Sequence, residues 1–301
     1  MRRIILILLT ALLAVAVAEA ATVPSVIARI PTGRGPCGLA AGYGSVWVAS
    51  DTGTIARIDP SRNRVLRTVR VGRTACAVAV GGGAVWAIRY GADEVVRLDP
   101  KTLRLSRVPV GDGPEDVLVA AGSVWVTGHN DGTVTRIDLS TSRVTSTIRL
   151  PNEPGGLAFV DGSVWVGSEG EGTDVFRIDP AGETVTRVPL GVRAPAWFVA
   201  GATDPWVTTA KDGLVLRIDP ATNRAVARLP VLGVAVEGAT APDGTLWIPS
   251  KQANTVTRID PVRNRVVDVF GAGPGAYVAL RAFGSMWVTS YAGTDVWRFR
   301  P

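Results

Sequence analysis

The chain has little of the side-chain chemistry on which most enzymes depend. Its 301 residues include one histidine and two cysteines, too few for a paired-histidine site or a four-cysteine zinc site. It contains no Gly-Lys-Ser phosphate loop, no Cys-x-x-Cys, no His-Glu-x-x-His and no Gly-x-Ser-x-Gly sequence, which are motifs of nucleotide binding, redox, zinc and serine chemistry. A Ser-His-Asp triad would have to use His129, and no serine is tied to it by spacing. These absences leave binding proteins and atypical enzymes.

The chain does contain one short two-part sequence motif that is repeated at a spacing near 40 residues. Its first half is a Gly-small-apolar-Trp-apolar segment, altered only before Trp206, that is centred on Trp47, Trp86, Trp125, Trp165, Trp206, Trp247 and Trp287, which lie 39, 39, 40, 41, 41 and 40 residues apart. Its second half is an Arg-apolar-Asp segment ending at Asp59, Asp99, Asp138, Asp179, Asp219 and Asp260, followed by proline in every copy but the third, with a degraded copy at residues 298–301. A fixed period of this length with strand-like content is typical of β-propeller blades.

Counting strands within the repeats predicts how the propeller closes. The third repeat reads as four strands, over residues 116–120, 123–127, 133–137 and 143–150. The last repeat ends at Pro301 after three strands, whereas residues 25–30 supply a surplus strand at the other end. We therefore predict an all-β, single-domain, seven-bladed propeller over residues 21–301, with four antiparallel strands per blade. The N-terminal strand completes the last blade and leaves no long unpaired edge.

The first 20 residues have the pattern of a signal peptide. Arg2 and Arg3 precede an apolar run over residues 4–17, and residues 18–20 form a small-x-small cleavage site. A lone membrane anchor is the alternative, although the run is short for a bilayer span. We expect an exported protein, periplasmic or extracellular, with no membrane span in its mature chain.

The two cysteines occupy equivalent positions in neighbouring repeats. Cys37 and Cys76 each lie ten residues before their tryptophan, where adjacent blades converge towards the axis. Export to an oxidising compartment favours pairing, so we predict a disulfide that staples two blades. A redox or metal role for the pair is the alternative.

The formal net charge of +6 raises the question of nucleic acid as a partner. The arginines recur in every repeat instead of gathering in one stripe, a pattern typical of solvated blade edges. We therefore do not expect nucleic-acid binding. An anionic polymer held by an arginine-rich rim remains a third alternative.

The repeat resembles the YVTN-type propellers and the related streptogramin-lyase (virginiamycin B lyase-like) propellers. The segments that carry the resemblance are 111–114 (Gly-Asp-Gly-Pro), 162–166 (Gly-Ser-Val-Trp-Val), 217–220 (Arg-Ile-Asp-Pro) and 264–266 (Asn-Arg-Val). For the lyase members the resemblance implies histidines and glutamates around Mg²⁺, with glutamate three residues after the strand tryptophan. None of the matching positions here is acidic: they are Ser50, Arg89, Gly128, Ser168, Thr209, Ser250 and Ser290. No catalytic residue of that family transfers to this chain.

Function in a repeat protein is expected where one copy departs from the others, and here two loops of each blade do so. Both loops should open on one face of the disc, around the mouth of the central channel. Ten residues before each tryptophan the series reads Cys37, Cys76, Glu115, Gly155, Ala196, Glu237 and Tyr277. Next to it, Trp197 is the only aromatic residue in a series otherwise occupied by Gly38, Ala77, Asp116, Gly156, Gly238 and Val278. The second loop contributes Arg89, Tyr90, His129, Glu169, Glu171, Lys211, Lys251 and Tyr291.

From these positions we select ligand-binding candidates by their chemistry. The two carboxylates suit a hard cation such as Mg²⁺ or Ca²⁺, or a cationic ligand, unless both are simply solvated. The lone histidine is the one candidate base, with an ordinary exposed side chain as the alternative. The two large aromatics form either a stacking platform or a channel plug. The candidates are Glu115, Glu237, His129, Arg89, Trp197 and Tyr277.

The sequence thus predicts a non-enzymatic propeller that binds a small ligand or a cell-envelope protein through its channel face. We assign no catalytic residue, metal ligand or resident cofactor, and expect a monomer. The alternative is a magnesium-dependent lyase or hydrolase that uses Glu115, Glu237 and His129 as an atypical site.

Overall fold

Seven units of four antiparallel β-strands make up the fold in the computed structural model, which describes residues 23–72 and 74–301. The predicted signal peptide lies outside the described residues. Within these described ranges a single 3₁₀ turn, Tyr90–Ala92, lies among the strands. Within the described chain no helix has the length and apolar content needed to cross a membrane.

In each blade the strands run in chain order from the channel outwards, and β1 is added at the end of the last blade. The innermost strands are β2 (Pro36–Gly42), β6 (Val78–Gly81), β10 (Pro114–Ala120), β14 (Pro154–Val160), β18 (Pro195–Ala200), β22 (Gly238–Thr240) and β26 (Ala276–Ala282). The second strands, which carry the repeat tryptophans, are β3 (Ser45–Ser50), β7 (Ala84–Arg89), β11 (Ser123–Gly128), β15 (Ser163–Ser168), β19 (Trp206–Thr209), β23 (Leu246–Ser250) and β27 (Ser285–Ser290).

The outer half of each blade has the same order. The third strands are β4 (Thr54–Asp59), β8 (Glu94–Leu98), β12 (Thr133–Asp138), β16 (Asp174–Ile178), β20 (Leu214–Asp219), β24 (Thr255–Asp260) and β28 (Asp295–Arg300). The outermost strands are β5 (Arg64–Arg70), β9 (Leu105–Pro109), β13 (Val144–Arg149), β17 (Val185–Pro189), β21 (Arg224–Pro230), β25 (Arg265–Gly271) and β1 (Ser25–Pro31).

The blades form a closed ring. Each innermost strand contacts the innermost strand of the next blade, and β26 contacts β2. Between the fifth and sixth blades the contact includes parallel pairing of β18 with β22. The surplus N-terminal strand pairs antiparallel with β28, with Ser25 opposite Arg300 and Pro31 opposite Asp295. The predicted propeller architecture, including completion of the last blade by the first strand, is confirmed.

The repeat tryptophans pack between neighbouring blades. All seven are at most 2% exposed. Trp47 lies in one apolar cluster with Val78 and Val85 of the second blade, and Trp287 packs against Val46 of the first. The indole N–H of Trp47 donates to the carbonyl of Gly42 at 3.1 Å. A tryptophan at this position therefore buries a large apolar area, and the corresponding indole hydrogen bond recurs at Trp86, Trp125, Trp165 and Trp287 but not at Trp247.

Five of the recurring arginines, Arg57, Arg136, Arg177, Arg217 and Arg298, join neighbouring blades. Arg57 lies opposite Trp47 on the neighbouring strand, and its guanidinium donates to the Pro100 carbonyl in the next blade at 3.0 Å. The same hydrogen bond joins Arg298 of the last blade to Pro60 of the first at 2.5 Å. The solvated-edge interpretation is wrong for these side chains, because their guanidinium groups donate hydrogen bonds to backbone carbonyls of the adjacent blade. This also weakens the polymer-binding alternative.

The predicted disulfide is present. Cys37 and Cys76 are bonded with their Cα atoms 5.1 Å apart, within the range that a disulfide requires. The bond joins β2 of the first blade to the segment that leads into β6 of the second. It therefore links two blades beside the channel.

Candidate functional site

Two rings of side chains define one face of the channel. Each innermost strand pairs antiparallel with the second strand, so the start of one lies beside the end of the other, as in Pro114 opposite Gly128. The throat ring consists of the residues ten before each tryptophan: Cys37, Cys76, Glu115, Gly155, Ala196, Glu237 and Tyr277. The mouth ring consists of the residues four after each tryptophan: Asp51, Tyr90, His129, Glu169, Ala210, Lys251 and Tyr291.

A cavity of 290 Å³, here called the mouth pocket, opens between the two rings. This volume accommodates a small organic molecule. Its lining combines phenol, carboxyl and imidazole groups with small apolar side chains. The lining residues are Thr74, Cys76, Ile88, Tyr90, Glu115, His129, Glu169, Tyr277 and Tyr291.

Beneath the mouth pocket the channel narrows to a cavity of 10 Å³ lined by Glu115, Asp116, Trp197, Glu237 and Tyr277, among others. This space holds about one water molecule. Trp197 lies directly over the backbone of Gly156, where an added Cβ would stand 2.8 Å from the indole ring. Of the two predicted roles for Trp197, the geometry therefore favours a plug. A further cavity of 230 Å³, whose lining includes many apolar side chains, shares Asp116 and Glu237 with this space.

The throat holds carboxyl groups that burial keeps protonated to unusually high pH. Burial raises the pKa of Glu115 to about 8, and repulsion from Glu169 and Asp116 adds to the shift. Burial also raises the pKa of Asp116 to about 7, although its carboxylate accepts hydrogen bonds from the amides of Leu157 and Val117, both at 2.7 Å. The pKa of Glu237 is raised well above its usual value by burial and by Asp116. Near neutral pH this set carries less negative charge than its composition indicates.

His129 lies between two carboxylates. Its Nδ1 is 3.7 Å from Glu169 Oε2 and its Nε2 is 3.9 Å from Glu153 Oε2, distances too long for hydrogen bonds. Nδ1 is buried and has no hydrogen-bond partner, and the side chain is only 20% exposed. Burial raises the pKa of Glu169, and His129 opposes that shift. His129 is therefore a partly buried side chain beside two carboxylates.

A pair of tyrosines forms one wall of the mouth pocket. Tyr277 and Tyr291 stack with ring centroids 5.2 Å apart. The Lys251 ammonium lies 4.1 Å from the Tyr291 centroid and 5.2 Å from that of Tyr277. Burial raises the pKa of Tyr277, and Glu115 and Glu169 add to the shift. Both phenols therefore stay protonated and present neutral aromatic faces.

A polar groove continues from the mouth pocket across the third and fourth blades. It has a volume of 440 Å³ and shares His129 and Glu169 with the pocket. Its wall also includes Asp131 and Glu153. A ligand that extends out of the mouth pocket across His129 would meet further carboxylates.

The structure brings together most of the predicted site residues. Glu115 and Tyr277 line both the mouth pocket and the throat, His129 lines the pocket, and Glu237 and Trp197 line the throat. Arg89 is placed elsewhere: its guanidinium contacts Glu94 on the adjacent strand and lies against Gly72.

The selection from the sequence left out Glu169, Tyr90 and Tyr291, which also line the mouth pocket. The sequence position that could have identified them lies one residue further from each tryptophan than the position compared with the lyases. The lyase comparison uses the position three residues after each tryptophan, whereas the side chains that face the pocket follow by four.

The magnesium site that the lyase resemblance implies does not fit this arrangement. Among residues 23–72 and 74–301, no three His, Cys, Asp or Glu side chains are grouped so as to hold a metal ion. Glu115 borders one cavity with His129 and another with Glu237, but His129 and Glu237 border no common cavity of those described. We therefore derive no metal-dependent step.

Comparison with solved structures identifies the fold class. The chain is similar to Kuenenia stuttgartiensis hydrazine synthase, with a TM-score of 0.76 and 16% identity over 88% of this chain and 95% of that one. It is also similar to virginiamycin B lyase from Staphylococcus aureus, with a TM-score of 0.77 and 14% identity over 88% of this chain and 94% of that one. No family model and no curated protein sequence matches. At these identities the likeness supports a β-propeller, not the narrower YVTN-type family.

Proposed function

We propose that this chain is an exported, non-enzymatic propeller that binds a small ligand in the mouth pocket. The observation that supports this proposal is a 290 Å³ cavity on one face of the ring, lined by side chains that differ from one repeat to the next. The disulfide between Cys37 and Cys76 and the apolar segment at the N-terminus support export. A cell-envelope protein that docks on the channel face is the second form of this proposal.

The pocket's architecture supports binding over covalent chemistry. Glu115 and Tyr277 lie on innermost strands, and the other polar groups directly follow the ends of second strands in the series Tyr90, His129, Glu169 and Tyr291. The rigid blades therefore position these groups before any ligand arrives. Burial keeps Glu115 largely protonated at neutral pH, which suits a hydrogen-bonding group more than a base. His129 lies 3.7 Å from Glu169 and 3.9 Å from Glu153, and its buried Nδ1 has no hydrogen-bond partner among the described residues of the protein.

The test is a ligand-observed NMR screen of small organic molecules against the wild-type protein and two variants. Tyr291→Ala opens the pocket wall, and Phe283→Asn is the matched control. Phe283 is an exposed aromatic residue of the same blade, in the hairpin at the opposite end of β26, and its positive φ of 50° suits asparagine. We expect hits that survive Phe283→Asn and are lost in Tyr291→Ala. Hits that bind both variants equally would place binding outside the mouth pocket.

A magnesium-dependent lyase is the alternative that this proposal must exclude. Incubation of the protein with virginiamycin B and Mg²⁺, followed by mass spectrometry of the substrate, checks it directly. Ring opening that depends on Glu115 and His129 would overturn the non-enzymatic assignment.

A further inference from the structure

We propose that the mouth pocket takes an organic ammonium ion, held against the tyrosine pair by the carboxyl groups of Glu115 and Glu169. This inference rests on the proposed function, because it names the chemical class of the ligand in that same pocket. Three features of the described residues carry it: the aromatic wall, the acidic lining and the cation already attracted to the wall.

The contact of Lys251 with the two tyrosine rings shows that the aromatic wall can bind a cation. The ammonium of that residue stands 4.1 Å from the Tyr291 centroid, within the range in which a ring face attracts a cation. Lys251 does not border the mouth pocket, whereas Tyr277 and Tyr291 both do. The same stacked rings therefore offer a ligand in the cavity the chemistry that they already provide to an internal ammonium.

The lining gives the pocket one sign of charge. Of its described lining residues Glu115 and Glu169 are acidic and none is lysine or arginine, so His129 is the one basic group. A third aromatic face, that of Tyr90, lies in the same lining, and its hydroxyl is 3.2 Å from Asn130 Oδ1. Aromatic faces combined with carboxylates recognise ammonium ions, whereas an anionic ligand would meet like charge.

A bound cation would also stabilise the ionised form of the acidic groups, which the free protein disfavours. Burial and mutual repulsion disfavour a charged Glu115 in the free protein. An ammonium in the pocket would supply the missing opposite charge, so ionised Glu115 and the bound cation stabilise each other. A neutral ligand of the same shape gains nothing from this coupling. The pocket should therefore discriminate by charge among molecules of equal size.

The test compares choline with its uncharged carbon analogue, 3,3-dimethyl-1-butanol, by isothermal titration calorimetry at pH 8. We expect choline to bind at least about tenfold more tightly than the analogue, as a desolvated cation–aromatic contact gives. Glu115→Gln should weaken choline binding and leave the analogue unaffected. Tyr291→Phe should retain choline binding because it keeps the ring, whereas Tyr291→Leu should lose it; this pair remains informative if the Glu115 variant folds poorly.

The other outcomes separate the two proposals. Equal affinity for choline and the analogue, or no choline binding while the NMR screen still finds ligands in the pocket, would overturn the ammonium assignment and leave the pocket as a binding site. A screen without ligands in the mouth pocket, together with no choline binding, would overturn both. Choline binding that Tyr291→Leu does not affect would place the ammonium elsewhere and overturn this inference.

Discussion

The body of the propeller and its mouth use equivalent positions in opposite ways. Every blade places a tryptophan at one position of its second strand, and all seven are buried. Four residues further on, the same blades place aspartate, tyrosine, histidine, glutamate, alanine, lysine and tyrosine. Sevenfold identity serves the packing of one blade on the next, whereas a single asymmetric ligand requires different side chains around one cavity. The break in the repeat is therefore the reason for proposing the site at the mouth.

The charged groups of the two regions also differ, because those of the body have partners whereas those of the throat repel one another. In the body, Arg57 and Arg298 each have a carbonyl acceptor in the next blade. In the throat, Glu115 and Asp116 lie close enough to Glu169 for repulsion to add to burial in raising their pKa. The body pairs its charged groups, whereas the channel buries carboxyl groups whose ionisation is disfavoured, as functional sites commonly do.

The sharpest test of this division compares a tryptophan of the body with a tyrosine of the mouth. We expect Trp125→Ala to lower the free energy of unfolding by about 3 to 5 kcal/mol, because it leaves a cavity between two blades. Tyr291→Leu should cost less than about 1.5 kcal/mol, since its ring is only half-buried. Urea denaturation followed by tryptophan fluorescence and circular dichroism measures both. Similar losses would mean that the mouth ring is part of the structural core.

The disulfide lies at the boundary between the regions, because Cys76 also borders the mouth pocket. Replacing both cysteines with serine opens a loop of sequence separation 39, and we expect the free energy of unfolding to fall by about 2 to 4 kcal/mol. Ligand binding in the folded double variant should persist, because the other pocket walls remain. Denaturation with and without reductant, on wild type and the variant, measures the effect. Loss of binding in a variant that is still folded would assign Cys76 to the site itself.

The fold could be predicted from the sequence because repetition averages over local ambiguity. The spacing of Trp47 and its copies determines the blade, and the surplus strand before Pro31 predicts how the ring closes. The disulfide followed from the equivalence of Cys37 and Cys76.

The site could be predicted only in part, because the direction in which a loop side chain points depends on tertiary contacts. Arg89 and Tyr90 are neighbours in the sequence, yet the first pairs with Glu94 and the second lines the pocket. Likewise, the sequence around His129 does not predict its proximity to Glu153 and Glu169, which lie in the next repeat.

The pH dependence of stability should separate mouth acids from body acids. The pKa of Glu115 is raised from 4.5 to about 8 and that of Asp116 from 3.8 to about 7. Between the unfolded and folded values the native chain holds protons that the unfolded chain has lost, so stability falls as pH rises through about 4 to 8. Acids of the body act in the opposite direction and at lower pH: Asp138, whose pKa hydrogen bonds from Ser140 and Thr141 lower to about 2, contributes stability that is lost only on acidification below about pH 4.

We therefore expect a lower urea midpoint at pH 8.5 than at pH 5.5, and a smaller difference in Glu115→Gln, which cannot ionise. The titratable and charged groups around Glu115 are Asp116, His129, Glu169, Glu237, Tyr277, Tyr90, Tyr291 and Lys251. Because His129 lies beside Glu169 in the same pocket lining, His129→Gln measured in parallel separates its contribution. A midpoint that rises between these pH values in wild type would contradict the pKa assignments.

The smallest expected effect concerns how far the site extends beyond the mouth. The groove shares His129 and Glu169 with the pocket, and Glu153 lies on its wall with 55% of its side chain exposed. A diamine could place one ammonium in the pocket and the other near Glu153. An exposed ion pair contributes about 0.2 to 1 kcal/mol, so putrescine should bind up to about fivefold more tightly than butylamine.

Glu153→Gln should remove this advantage and leave butylamine unchanged, as measured by calorimetry at low salt. The control is Asp161→Asn, an acid of the same blade with the same 55% exposure, located in the hairpin at the opposite end of β14 and β15; its positive φ of 49° also suits asparagine. If both amines weaken equally in Glu153→Gln, that residue acts on the pocket through His129 and the groove is not part of the site. If only the diamine weakens, and Asp161→Asn has no effect, the site extends along the groove and its ligand carries more than one positive charge.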